Sequence, residues 1–148
     1  MKTTVRTVLG LTLLAVWLTT LGSESWTLVG TGGSGSVAGY VMLETVRRDG
    51  PNARAWVSQS YSTPVNDELA GPGVSYSSDA ALMVFDCLSG SFFDLQVIRY
   101  AGPMRSGRIT STWSRPSNDQ NVSYTLPGTV GADEMRAVCA ATQRSSGE

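Results

Sequence analysis

Few residue types in this chain could do chemistry. It contains no histidine, so the usual general base near neutral pH is missing, and with it Ser-His, Cys-His and His-ligated metal chemistry. Carboxylates, two cysteines and a set of arginines remain. Asp67 with Glu68 and Asp133 with Glu134 are the paired acids. Neighbours in sequence seldom converge on one substrate atom, so a loop and a helix start account for them better than catalysis does. Cys87 and Cys139 are the only thiols. A redox centre would show Cys-x-x-Cys, and a zinc site needs more ligands than two cysteines supply. The run Gly30-Thr31-Gly32-Gly33-Ser34-Gly35 fits G-x-G-x-x-G after a strand, but the residues from Val37 onward read as strand and not as a helix that could receive phosphates. Asn121-Val122-Ser123 fits a glycosylation sequon, a pattern short enough to arise by chance. The expectation is a protein without catalytic residues, metal or cofactor.

Binding chemistry has more to work with. Arg47 and Arg48 stand beside a turn signal, and Arg105 and Arg108 flank Gly107. Such pairs can form guanidinium clusters suited to carboxylate or sulfate groups on a partner; the competing reading is solubility and local ion pairs. Trp113, beside Ser114, Arg115 and Pro116, reads either as an exposed aromatic anchor or as a partly buried strand end.

The compartment follows from the first residues. Lys2 and Arg6 precede an apolar run at 8–18, broken only by Gly10 and Thr12, and small polar residues follow it. This is the order of a secretory signal, with cleavage expected to leave a mature start between Ser23 and Trp26. The apolar run falls well short of the roughly 20 residues needed to span a bilayer. Residues 1–25 are therefore read as a signal peptide, 26–143 as one domain and 144–148 as a polar tail. An exported chain meets oxidising conditions, where an even pair of cysteines is most simply a disulfide. Closing a loop of about 53 residues would stabilise the fold by roughly 4 kcal/mol on the loop-closure argument. Removing Lys2, Arg6 and Glu24 with the signal leaves nine arginines, no lysine and eleven acids. That balance offers no basic field for nucleic acid or acidic lipid.

The elements that must position these residues are short and mostly extended. Residues 26–29, 37–43 and 53–62 are strand candidates, with a single helical turn expected at 44–48 and a turn at Asp49-Gly50-Pro51-Asn52. Residues 64–73 read as a long loop. Residues 74–87 end in a clear alternation, with Ala81, Met83, Phe85 and Cys87 on one face, and 92–100 answer them across a four-residue connection. A further strand is expected at 108–113. Strands that follow one another without crossover helices argue an antiparallel meander. After Pro127-Gly128, Val130, Met135, Val138 and Cys139 recur at helical spacing, with Asp133 and Glu134 in the first turn. The fold class is thus α+β, a small antiparallel sheet packed by a C-terminal helix that a Cys87–Cys139 bond would pin to its inner face.

Trp26 near the mature start, Tyr40-Val41, Asp49-Gly50 before a strand containing Trp56, Phe85-Asp86-Cys87, Tyr100-Ala101-Gly102-Pro103-Met104 with Gly107, and Pro127-Gly128 before a helix with Cys139 follow in an order that resembles the surface-adhesin protein E family. The resemblance covers nearly all of the mature chain. It implies about six antiparallel strands packed by a C-terminal helix, in agreement with the reading from periodicity. It also implies a surface protein that binds host proteins such as vitronectin, laminin and plasminogen and can form a homodimer. It supplies no catalytic residue. The chain departs from the family where Met42 follows the Tyr-Val pair in place of an Asp, and the lipid-attachment cysteine has no counterpart near the cleavage region. The expected function is an exported, non-catalytic binding module in the periplasm or at the cell surface, not lipid-anchored. The alternative is a structural or accessory protein of the periplasm whose partner is another envelope component.

Overall fold

A computed structural model describes residues 24–144. The expected signal peptide therefore lies outside the described residues apart from Glu24 and Ser25, as does the expected tail apart from Arg144.

Alternating side chains and frequent turn formers give strands β1 (Thr27–Gly32), β2 (Val37–Val41), β3 (Arg47–Asp49), β4 (Asn52–Asn66), β5 (Ser75–Asp86), β6 (Ser91–Tyr100), β7 (Ile109–Ser114) and β8 (Ser123–Tyr124), and one helix, α1 (Val130–Arg144). All pairings are antiparallel, in the order β1-β2-β4-β5-β6-β7, with β3 added beside β4 and β8 beside β6. The expected six-strand meander is thus present, extended by two short strands. Because side chains alternate along a strand, the register Val57↔Ala81, Ala55↔Met83 and Ala53↔Phe85 puts six apolar residues on one face. That face takes the helix. Val138 and Met135 of α1 pack with Val41 and Phe85, and Phe85 and Val138 are fully buried. Burial of side chains this size contributes roughly 1.5–3 kcal/mol each.

The helix is set by its ends. The Thr129 hydroxyl accepts the Ala132 N–H at 3.3 Å, an N-cap, and Asp133 in the first turn pairs with Arg136 at 2.7 Å. Its first turns lie so close to β1 and β2 that a Cβ on Gly39 would stand 2.2 Å from Val130, and one on Gly30 would meet Asp133 at the same distance. At the other end Cys87 and Cys139 form the expected disulfide, with their Cα atoms 5.8 Å apart.

Two local expectations are corrected. The helical turn expected at 44–48 is a 3-10 turn at Leu43–Thr45, and the chain then turns extended as β3, because Asp49 and Asn52 close a hairpin around Gly50-Pro51. The loop expected from residue 64 begins only after Asn66. Pro64 is accommodated inside β4 where the register with β5 shifts between Ser60 and Val65, a place where its missing N–H costs no ladder bond.

The loop that follows is clasped by Asp67. Its side chain is fully buried and accepts from Arg99 Nη1 at 2.7 Å, Thr110 Oγ1 at 2.6 Å, Ser111 Oγ at 2.7 Å and the Leu69 N–H at 3.2 Å. Burial opposes ionisation here, but the hydrogen bonds from Thr110, Ser111 and Arg99 outweigh it and hold the carboxyl at about 2. The acid that the sequence offered as half of a catalytic pair is the lock between β6, β7 and this loop.

Candidate functional site

The connection between β6 and β7 is the most unusual stretch of backbone. Met104 and Arg105 both adopt left-handed φ angles, 52° and 61°, although neither is glycine. Each such residue costs on the order of 1–2 kcal/mol, and the surroundings must hold it in place. Three serines of the sheet face opposite the helix do so. Ser60 Oγ accepts the Met104 N–H at 3.2 Å, and Ser78 Oγ accepts the Arg105 N–H at 2.8 Å while donating to the Gly102 carbonyl at 2.6 Å. Ser58 Oγ accepts from Arg105 Nη1 at 2.7 Å. Ser58 and Ser78 are wholly buried beneath the loop. Gly107, at φ 75°, closes the turn.

The consequence is the position of Arg105. Its guanidinium carbon lies 4.0 Å from the ring centre of Trp26 and 5.7 Å from that of Tyr40, close enough for cation–π attraction to both. Burial lowers its pKa from the ordinary value, although a guanidinium keeps its charge near neutral pH. Arg105 takes part in none of the ion pairs Arg99–Asp67, Arg115–Asp119 and Arg136–Asp133, although the charge of Glu24 acts on it. Beside it opens a cavity of about 410 Å³, walled by Trp26, Met42, Trp56, Ile98 and Tyr100 over Ala80, with Glu24 at the exposed edge. The indole Nε1 of Trp26 is buried and meets no acceptor.

The helix-side face carries a second concavity, about 270 Å³, lined by Gln59, Tyr61, Asp79, Phe92, Asp94 and Arg99 among others. Asp79 Oδ1 accepts the Gln59 N–H at 2.9 Å, Tyr61 donates to Gln59 Oε1 at 3.0 Å, and Gln59 Nε2 donates to Glu134 Oε2 at 3.2 Å. Burial raises Asp79 to about 6, Glu134 to about 8, and Asp94 and Tyr61 above their ordinary values. Glu134 is sealed, at 1 % exposure. Asp94 stands opposite Met83, four residues along β5 from Asp79, and its charge adds to the rise at Asp79.

The other arginines read from the sequence are placed differently. Arg47 donates to the carbonyls of Glu44 and Val46, each at 2.8 Å, and Arg48 to that of Gly50 at 3.1 Å, so both brace their own turn. Arg108 is exposed, whereas Arg105 across Gly107 is tucked into the aromatic cavity. Trp113 is half-buried on β7 opposite Val97, as a strand end and not as a projecting anchor. Cys87 and Cys139 are consumed in the disulfide. The sequence flagged Arg105 but not its setting. Nothing in the sequence spacing marks Trp26, Tyr40, Trp56 or the three serines as its neighbours.

A family model described as surface-adhesin protein E matches residues 26–140. No curated protein matches the chain. Among solved structures the chain is similar to Haemophilus influenzae protein E, at 13% identity and a TM-score of 0.49 over 80% of this chain and 86% of that one. It is similar also to crystal form II of Haemophilus influenzae protein E, at 11% identity and TM-score 0.48 over 69% of this chain and 80% of that one. A third similar structure is protein E from non-typeable Haemophilus influenzae, at 9% identity and TM-score 0.46 over 80% and 78%.

Proposed function

The chain belongs to the surface-adhesin protein E family, and from that premise we propose that it is an exported, non-catalytic module that binds a protein partner at the cell surface. The partners the family suggests are host matrix or serum proteins such as vitronectin and laminin. The observation that best supports a binding role is Arg105. A strained loop, pegged by three buried or half-buried serines, holds one cation outside any ion pair at an aromatic opening. Strain held by its surroundings clusters at functional positions. The non-catalytic reading draws on the absence of histidine from the sequence and on the family.

Removal of residues 1–25, display at the surface and a homodimeric state belong to the same proposal. Protease shaving of intact cells separates surface display from a periplasmic role with an envelope partner. Immobilised vitronectin and laminin should retain the exported chain, and Arg105→Gln should weaken that retention. A chain protected from protease on intact cells and recovered only with envelope proteins would refute the surface reading.

A further inference from the structure

We infer that the cavity beside Arg105 is a binding site for a small organic acid, one carboxylate on an apolar body, taken free from solution. Three observations converge on it. The first is charge, since Arg105 has no ion-pair partner, and its single hydrogen bond, from Nη1 to Ser58, leaves the rest of a planar donor fork for a carboxylate. The second is the ring of Trp26, which walls the same cavity and stacks on the guanidinium at 4.0 Å, so the cation sits against an apolar surface. The third is size and lining. At about 410 Å³ the cavity falls in the range of sites for small organic molecules, roughly 300–1,000 Å³.

The lining also selects among acids. The walls are aromatic and aliphatic, and the Thr45 hydroxyl at the cavity is already spent, donating to the Met42 carbonyl at 2.7 Å and accepting the Trp56 N–H at 3.0 Å. A sugar ring would bring hydroxyls with few partners. The floor is the face of β4, β5 and β6, whose backbones pair with one another, so an extended peptide would find no free strand edge. A single guanidinium matches a single negative charge. Glu24, the one acid at the edge, lies in the segment expected to leave with the signal, so no carboxylate of the exported chain lines the cavity.

This inference rests on the non-catalytic binding reading, and the two can fail separately because its test needs no protein partner. The exported chain, labelled with ¹⁵N, is titrated with 3-phenylpropionate while the indole N–H signals of its tryptophans are followed. The expected result is a saturable shift of Trp26 and Trp56 with Trp113 unmoved. The neutral 3-phenylpropionamide should bind at least about tenfold more weakly, the effect of losing one charge-assisted hydrogen bond. Arg105→Gln should lose binding by a similar factor. Ala80→Val, which fills the floor and leaves Arg105 in place, should weaken acid and amide alike. Equal affinity for acid and amide, or equal shifts at Trp113, would overturn the assignment. So would tighter binding of a Gly-Gly-Phe peptide than of 3-phenylpropionate, which would make the occupant a chain terminus. Should vitronectin and laminin be ignored while the acid binds, the partner reading falls and this one stands.

Discussion

Glu134→Gln is the substitution whose consequence the structure fixes most closely. Glu134 lies in α1 against β2, 1 % exposed, with Oε2 accepting from Gln59 and Oε1 buried without a partner. Burial is the main cause that lifts its carboxyl from 4.5 to about 8; the nearby charges of Asp79, Asp94 and Asp133 push the same way, and the Gln59 bond opposes them. Below pH 4.5 both folded and unfolded chains carry the proton and the group costs nothing. Between 4.5 and 8 the unfolded chain releases the proton while the folded chain keeps it, so stability falls by about 1.4 kcal/mol per pH unit. The loss amounts to about 3 kcal/mol at pH 7 and about 5 kcal/mol beyond pH 8. Asp79, raised to about 6, adds a loss of the same sign, but it has finished by pH 7. Glutamine keeps the shape and the Gln59 bond and cannot titrate. Urea unfolding followed by tryptophan fluorescence at pH 6.5, 7.5 and 8.5 should therefore show wild-type stability falling by about 2 kcal/mol and the variant staying level within about 0.5 kcal/mol. Parallel slopes for the two proteins would refute the claim that Glu134 folds as a buried neutral acid.

Further predictions follow from other contacts. Cys87→Ser should cost about 2–5 kcal/mol, the range for native bridges of small exported domains, and unfolded, unreduced wild type should show no labelled thiol. Asp67→Asn should destabilise by about 2 kcal/mol or more through the loosened Arg99, Thr110 and Ser111 bonds, and proteolysis should first nick residues 67–74. Because its folded carboxyl lies near 2, the Asp67 contribution is present above pH 3.8 and lost as pH falls toward 2, opposite in sign to Glu134. Plasminogen commonly docks on lysine side chains, and after loss of Lys2 none remains, so surface plasmon resonance should show no saturable capture displaced by a free lysine analogue.

The parts of the fold legible in the sequence are those where one face is strongly apolar. The alternation Ala81, Met83, Phe85 defines β5 and its inner face, and the spacing of Val130, Met135 and Val138 defines α1, because burial enforces both periods. β3 and β8, with three and two residues, are too short to show a period, and Pro64 hides the last residues of β4 behind a bulge that only pairing reveals. The site follows the same division. Arg105 is visible as a residue type, but its meaning depends on Tyr40 pairing with Ser58 and on the loop folding back over Ser78. Those are products of register, and a strand serine under a loop looks the same in sequence as one facing water.

The Cys87–Cys139 bond takes on another meaning if the protein is loaded mechanically, as a molecule holding two surfaces together is. Tension drawn along the chain from its two ends passes from Cys87 directly to Cys139, 52 positions on, and the stretch between them carries none of it. That bypassed stretch contains β6, β7, the Arg105 loop and most of α1. Pulling can peel β1, β2 and β4 and still leave the enclosed segment unstretched, shortening the fully extended length by roughly 180 Å at about 3.5 Å per residue. Reduction of one covalent bond would release that slack, so the redox state of the surroundings would set how far the molecule yields under force.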